Sequence, residues 1–138
     1  MNRESLMAIM PHRGGMLLLD EAEKRDDMAL ASYTIRGDEW FLDGHFPGNP
    51  IVPGVVLCEM LAQSVCVLLS DQSEGKTPLY TGIQNARFRQ PVRPGDTLEI
   101  EAVLTHRKPP FYFAKGVGRV NGKTCVQAEF TFALLDQN

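Results

Sequence analysis

The stretch GVVLCEMLAQSVCVLLSD (residues 54–71) decides the fold. Apolar residues fall nearly all round a helical projection of it (Val55, Val56, Leu57, Cys58, Met60, Leu61, Val65, Val67, Leu68, Leu69), and a helix without a polar face is a buried helix. The pattern predicts one main helix from Gly54 to about Asp71. Its most apolar part is shorter than the ~20 residues that span a bilayer and contains Glu59 and Gln63, so membrane insertion is not expected.

The cover for such a helix has to come from its flanks. Downstream of a polar turn at Gln72 to Pro78, the chain reads as strand: Leu79 to Gln90, then Thr97 to Arg107 with Leu98, Ile100, Ala102 and Leu104 alternating with other side chains. Arg93-Pro94-Gly95-Asp96 makes the turn between them. Phe111 to Val120 and Thr124 to Leu135 flank Asn121-Gly122, the dipeptide of tight hairpins. Upstream, Arg3 to Met10 is a short helix that Pro11 stops, and Met16 to Ile35 reads as extended. Residues 38–54 (DEWFLDGHFPGNPIVPG) carry three prolines and three glycines and predict an ordered loop. The sum is an α+β domain, an antiparallel sheet curled around one long buried central helix. One small flat sheet cannot enclose such a helix, so the sheet is strongly curved, a second subunit completes the cover, or both.

With 138 residues, 43% hydrophobic and 22% charged, the expected organisation is a single domain over residues 1–138. Three cysteines, Cys58, Cys66 and Cys125, are odd in number and form no CxxC pair, which argues against a disulfide scaffold or zinc ribbon and for a reducing compartment. The amino terminus MNRESLMAIMPH lacks the basic-then-apolar order of a signal peptide, so the expected location is cytoplasmic. The net charge of −3 conceals a gradient: residues 1–75 balance to −7, residues 76–123 to +6 and residues 124–138 to −2. The basic stretch is either a set of solvated strand faces or a site for an acidic partner. A pI near 5.6 and the lack of a recognised motif argue against nucleic acid.

Glu59 is the only ionisable side chain expected to matter on the helix, and burying a lone carboxylate raises its pKa, as a general acid requires. Gln63 lies one turn on, at i+4, able to share a polar lining. The competing reading is a face that simply meets solvent or a paired cation. His45 sits in the loop stiffened by Gly44, Pro47, Gly48, Pro50 and Pro53, where a neutral imidazole can serve as base or be merely structural. Gly54 opens the helix, whose first N–H groups lack intrahelical acceptors and can polarise a carbonyl oxygen. Base, acid and oxyanion donor thus fall within residues 45 to 59, a set suited to proton abstraction beside a carbonyl with loss of a leaving group. His12, in a turn, and His106, near a strand end, receive no catalytic role. Gly14-Gly15 lacks a phosphate-loop pattern, no His, Cys and acidic residues have metal-ligand spacing, and Cys58 reads as core packing.

GHFPGNPIVPGVVLCEMLAQ (residues 44–63) resembles the signature of the FabZ-type 3-hydroxyacyl-acyl carrier protein dehydratases. IMPHR (residues 9–13), MLLLD (residues 16–20) and NARFRQPVRPGDTLEIE (residues 85–101) extend the likeness along nearly the whole chain. The resemblance implies a hot-dog fold, a homodimer or trimer of dimers, and an active-site tunnel at the dimer interface where His45 of one subunit works with Glu59 of the other. It implies His45 as the catalytic histidine, Glu59 as the helix acid, Gly54 as the thioester-oxygen donor and Gln63 as a polar neighbour of the acid. The implied reaction converts a (3R)-hydroxyacyl thioester to the trans-2-enoyl product, with no metal or organic cofactor. The implied partner, acyl carrier protein, is acidic, which makes Arg87, Arg89, Arg93, Arg107 and Lys108 the candidate docking patch. A thioesterase, a dehydratase that also isomerises the double bond, and a non-catalytic acyl-thioester sensor are the alternatives on the same fold; the His45 and Glu59 pair argues against the last. One departure is Gly14-Gly15-Met16, where the family has an aromatic residue and a proline, a change that bears on the tunnel wall or subunit contact.

Overall fold

The computed structural model describes residues 1–72 and 75–136. A six-stranded antiparallel sheet in the order β1-β2-β4-β5-β6-β3 is built from β1 (Glu21–Arg25), β2 (Met28–Thr34), β3 (Lys76–Phe88), β4 (Thr97–Lys108), β5 (Phe111–Val120) and β6 (Lys123–Asp136). A short helix α1 (Arg3–Met7) opens the chain, capped by the Asn2 side chain accepting from the Ser5 N–H, and the central helix α2 (Gly54–Ser64) runs across the sheet. Alternate residues of the strands point at it: Ala29, Ala31 and Tyr33 from β2, Leu98, Ile100 and Ala102 from β4, and Val126, Ala128, Phe130 and Phe132 from β6 are all buried. This is the α+β sheet-around-helix architecture that the apolar helix demanded, the hot-dog fold.

The β5–β6 hairpin turns where expected, with φ of 51° at Asn121 and 80° at Gly122, the double positive φ of a tight primed turn. Three expectations need correction. The predicted extended run from Met16 to Ile35 is broken: Gly14–Met16 is a turn of 3₁₀ helix, and Asp26 adopts φ 57° so that Arg25 pairs with Met28 across a two-residue turn. The main helix does not stay α-helical to Asp71; it tightens at Val65–Leu69 into a 3₁₀ segment, the common way for a last turn to end. The polar turn placed at Gln72 to Pro78 falls partly outside the described residues, and β3 has already begun at Lys76.

The helix is also not covered all round. Val55 is 74% exposed, and Glu59 and Ala62, at i+4 and i+7 from it, are half-buried, so one stripe of α2 lies outside the cover of its own sheet. The neighbouring sheet edge is β3, which among the described residues pairs only with β6 and exposes Leu79, Tyr80, Ile83 and Phe88.

Candidate active site

Gln63 organises the site. It is 2% exposed and fully used: its Oε1 accepts from the Leu18 N–H at 2.9 Å, and its Nε2 donates at 2.8 Å to the Met16 carbonyl and at 2.8 Å to Oε2 of Glu59. A buried amide with every group paired is rigid, so the segment leading into β1 and the acid of α2 are held in one register. The same Oε2 lies 3.4 Å from Nε2 of His12, whose turn follows α1. That turn is fastened by Arg13, whose guanidinium donates to the carbonyls of Met10 at 2.7 Å, His12 at 2.7 Å and Met7 at 2.9 Å.

Beside Glu59 a narrow cavity of about 40 Å³ is walled by His12, Ala62, Cys66, Tyr80 and Phe132 among others. Tyr80 reaches over from β3 and donates its hydroxyl to the Cys58 carbonyl at 2.9 Å; burial first, then the nearby Glu59 charge, pushes its pKa far up. The same two causes push the Cys66 thiol up to about 12. Both are therefore neutral at ordinary pH. Larger hollows of about 650 and 600 Å³ are open depressions on the outer face of the sheet, away from α2 and from every candidate residue.

His45 is held in its loop by four short bonds: its N–H to the Leu42 carbonyl at 3.0 Å, the Ile51 N–H to its own carbonyl at 2.9 Å, and a reciprocal Phe46–Asn49 pair at 3.1 and 2.8 Å. Its Nδ1 lies 2.8 Å from the Ile51 carbonyl. A carbonyl only accepts, so Nδ1 carries a proton, and the neutral form of the ring has its lone pair on Nε2, the tautomer a base needs. The ring stacks on Phe46 with centroids 4.0 Å apart. His45 is absent from the walls of the Glu59 cavity, so one chain does not bring the two together there.

Gly54 opens α2 after Pro53, beneath the ring of Phe88; a Cβ at this position would lie 2.8 Å from Phe88 Cε1, so only glycine leaves the ring its place. The basic candidates do not form one patch within a chain. Arg89 lines a shallow hollow with Gly54 and Phe88, Arg87, two residues before it, pairs with Gln127 on β6, and Arg93 donates to the Asn49 side chain of the His45 loop. Arg107 and Lys108 stand at the far end of β4, and the register sets Arg87 level with Glu101, so the two groups are roughly 20 Å or more apart along the strands. Alternating sequence position cannot distinguish the two ends of an antiparallel sheet, which is why the segment read as one basic block.

His12, read from the sequence as a turn residue without a catalytic role, and Tyr80, which the sequence did not single out, both line the cavity. Nothing in local spacing announces His12, which meets Glu59 across 47 positions of chain; the only signal was the PHR tripeptide, whose arginine shapes the turn. Gly15 has a reason of its own: Trp40 lies over it, donating Nε1 to its carbonyl at 2.8 Å, and a Cβ there would stand 2.7 Å from the indole. At Gly15, therefore, the departure leaves room for the Trp40 ring. Among the described residues no group of His, Cys, Asp and Glu could hold a metal ion, and no helix is long and apolar enough to cross a membrane.

Residues 10–129 match the family model described as a FabA-like domain. The chain is 40% identical over 136 residues to a 3-hydroxyacyl-[acyl-carrier-protein] dehydratase FabZ of Clostridium acetobutylicum, covering 96% of each. It is 41% identical over 133 residues to the protein of the same name in Enterococcus faecalis, covering 94% of each. Among solved structures, the dehydratase heterocomplex ApeI:P from Xenorhabdus doucetiae superimposes with a TM-score of 0.81 over 96% of this chain and 91% of that one, at 20% identity, a likeness of fold.

Proposed function

The chain belongs to the FabA-like family, among its FabZ-type 3-hydroxyacyl-acyl carrier protein dehydratases, and on that premise we propose how its residues remove water from a (3R)-hydroxyacyl thioester carried by acyl carrier protein. Nε2 of His45 takes the C2 proton; the Nδ1–H held by the Ile51 carbonyl keeps that nitrogen a base. Negative charge growing on the thioester oxygen is met by the Gly54 N–H at the start of α2. Glu59 gives a proton to the departing C3 hydroxyl, and the electron pair left at C2 forms the trans-2 double bond. Water and the enoyl thioester leave, and the proton on His45 returns to Glu59 through solvent or product water. No cofactor enters this scheme.

The observation that carries the reading is the uncovered stripe of α2. Glu59 stands on it between Val55 and Ala62, beside an unpaired β3 edge exposing Leu79, Tyr80, Ile83 and Phe88. A second copy docked along that edge would cover the stripe and bring its own His45 to Glu59. We therefore infer a homodimer as the smallest active unit, with a trimer of dimers as a higher assembly that sedimentation would reveal. Arg87, Arg89 and Arg93 are the docking site we favour for the acidic carrier, because Arg89 borders Gly54, where the thioester would enter, and Arg93 reaches the His45 loop.

The test is turnover of purified protein with 3-hydroxyacyl-acyl carrier protein thioesters of several chain lengths. The expected result is loss of water with appearance of enoyl absorbance and no free thiol. Thiol release instead would make the protein a thioesterase, and binding without turnover would make it a sensor.

A further inference from the structure

Two side chains converge on one oxygen of the acid. Gln63 Nε2 donates to Oε2 of Glu59 at 2.8 Å, His12 Nε2 faces the same oxygen at 3.4 Å, and among the described residues no donor is seen on Oε1. His12 is enclosed in the turn so that its Nδ1 is buried without a hydrogen-bond partner among the described residues. A proton on Nδ1 would be an N–H buried with no acceptor, whereas a bare lone pair there is tolerated; the geometry therefore places the ring's proton on Nε2, facing Glu59. The turn is clamped twice, by Arg13 on the carbonyls of Met7, Met10 and His12, and by Trp40 on the carbonyl of Gly15.

We propose that His12 is a positioning residue for the acid: with Gln63 it fixes Oε2 of Glu59 as an acceptor, so that the proton delivered to the leaving hydroxyl is carried on Oε1. His12 itself exchanges no proton with substrate. The inference rests on the reading of Glu59 as the acid and adds which oxygen works and what holds the other. It also gives the Trp40 and Gly15 contact a purpose, since whatever loosens that turn loosens the carboxyl group it supports.

The groups facing Glu59 are His12 from the turn, Gln63 from its own helix, Cys66 from the 3₁₀ extension and Tyr80 from β3, together with the partner subunit's His45 in the proposed dimer. Cys66 and Tyr80 stay neutral through the working range. A donor on a carboxyl group favours its ionised form, so the variant that lacks the donor should show the basic limb of its activity profile at higher pH than the wild type.

The experiment compares His12→Phe, His12→Gln, Glu59→Gln and His45→Ala in kcat, KM, pH profile and melting temperature. The expected result for His12→Phe is a fall in kcat of about ten- to hundredfold, the range of a misplaced catalytic group, with KM within about twofold and the basic limb shifted upward. His12→Gln, whose amide can still donate, should recover most of the kcat and the original limb; this variant carries the test if the phenylalanine disturbs folding. An unmoved limb with wild-type kcat in His12→Phe, or a glutamine variant no better than the phenylalanine one, overturns the proposal while inactive Glu59→Gln leaves the acid in place. A loss in His12→Phe as complete as in His45→Ala also overturns it, by making His12 a proton-transfer residue. Full activity in Glu59→Gln would remove the underlying reading and this inference with it.

Discussion

The Gln63 side chain joins Glu59 to the backbone of a segment 45 residues away, donating to Oε2 at 2.8 Å while its own oxygen accepts from the Leu18 N–H at 2.9 Å. Acid geometry and packing of the amino-terminal segment are thus one structural feature. Gln63→Leu, close in shape but without polar atoms, would leave the Leu18 N–H buried and unpaired and should destabilise the fold by about 1–3 kcal/mol. Activity should fall further than stability explains, because Glu59 loses its best-aligned donor. Denaturant melts and turnover on the same preparation check both; wild-type stability would show that Gln63 only lines the site.

Gly54→Ala tests the crowded start of the central helix. The new methyl would meet Phe88 at 2.8 Å, but that ring is half exposed and can swing, so the stability loss should stay under about 1 kcal/mol. Turnover should drop by about a hundredfold if the Gly54 N–H carries the thioester oxygen, since the displaced ring and the methyl both crowd that position. Gly54→Ala with Phe88→Ala should recover part of it. No recovery in the double variant would point away from the ring as the cause.

Glu39 predicts an acid-sensitive component of stability. Burial raises its pKa, but the Arg36 and Gly37 N–H groups and the Tyr33 hydroxyl, at 2.9, 2.8 and 2.9 Å, outweigh that and hold it below its ordinary 4.5. A depressed carboxylate stabilises the fold above its unfolded pKa and loses that contribution as pH falls through the folded value. Glu39→Gln should therefore lower stability by about 1 kcal/mol at pH 7, discounted for its partial exposure, and by less near pH 3. Tyr33 works in the opposite sense: burial and Glu39 push it up to about 12, so its contribution is whole below 10.0 and disappears as pH rises through about 12. Thermal melts across pH check both limbs; a Glu39→Gln deficit that does not shrink in acid would contradict the first.

The three cysteines should be silent in the folded protein. All are buried, and burial raises each thiol, Cys66 to about 12 with help from the Glu59 charge. A thiolate reagent at pH 8 should label all three in denaturant and none on the same timescale in buffer. Rapid single-site labelling of Cys66 would show the Glu59 cavity to be more open than described.

The central helix and the strands after it were legible because each carries its own period: apolar all round for a helix wrapped by a sheet, alternation for strands with one buried face, and Asn-Gly for the hairpin. The turn at Asp26 was not, because an aspartate in a left-handed conformation carries no glycine to mark it. Incomplete cover of the helix was foreseeable, but its place at Val55 was not, since an exposed Val55 looks in sequence like any core valine. A stiff loop and a lone charge on an apolar helix made His45 and Glu59 the candidates. Their failure to meet within one chain, and the meeting of His12 with Glu59, depend on how distant segments pack, and local pattern does not encode that.

The central claim, a site completed by two chains, is tested most directly by co-assembling His45→Ala and Glu59→Gln subunits. Each variant alone should be nearly inactive with an intact fold. A purified mixed dimer has one site with both groups wild-type and one with neither, so it should show about half the activity of the native dimer, as two-fold symmetry requires. Verified mixed dimers as inactive as either parent would contradict the account and place the working histidine and glutamate in the same chain.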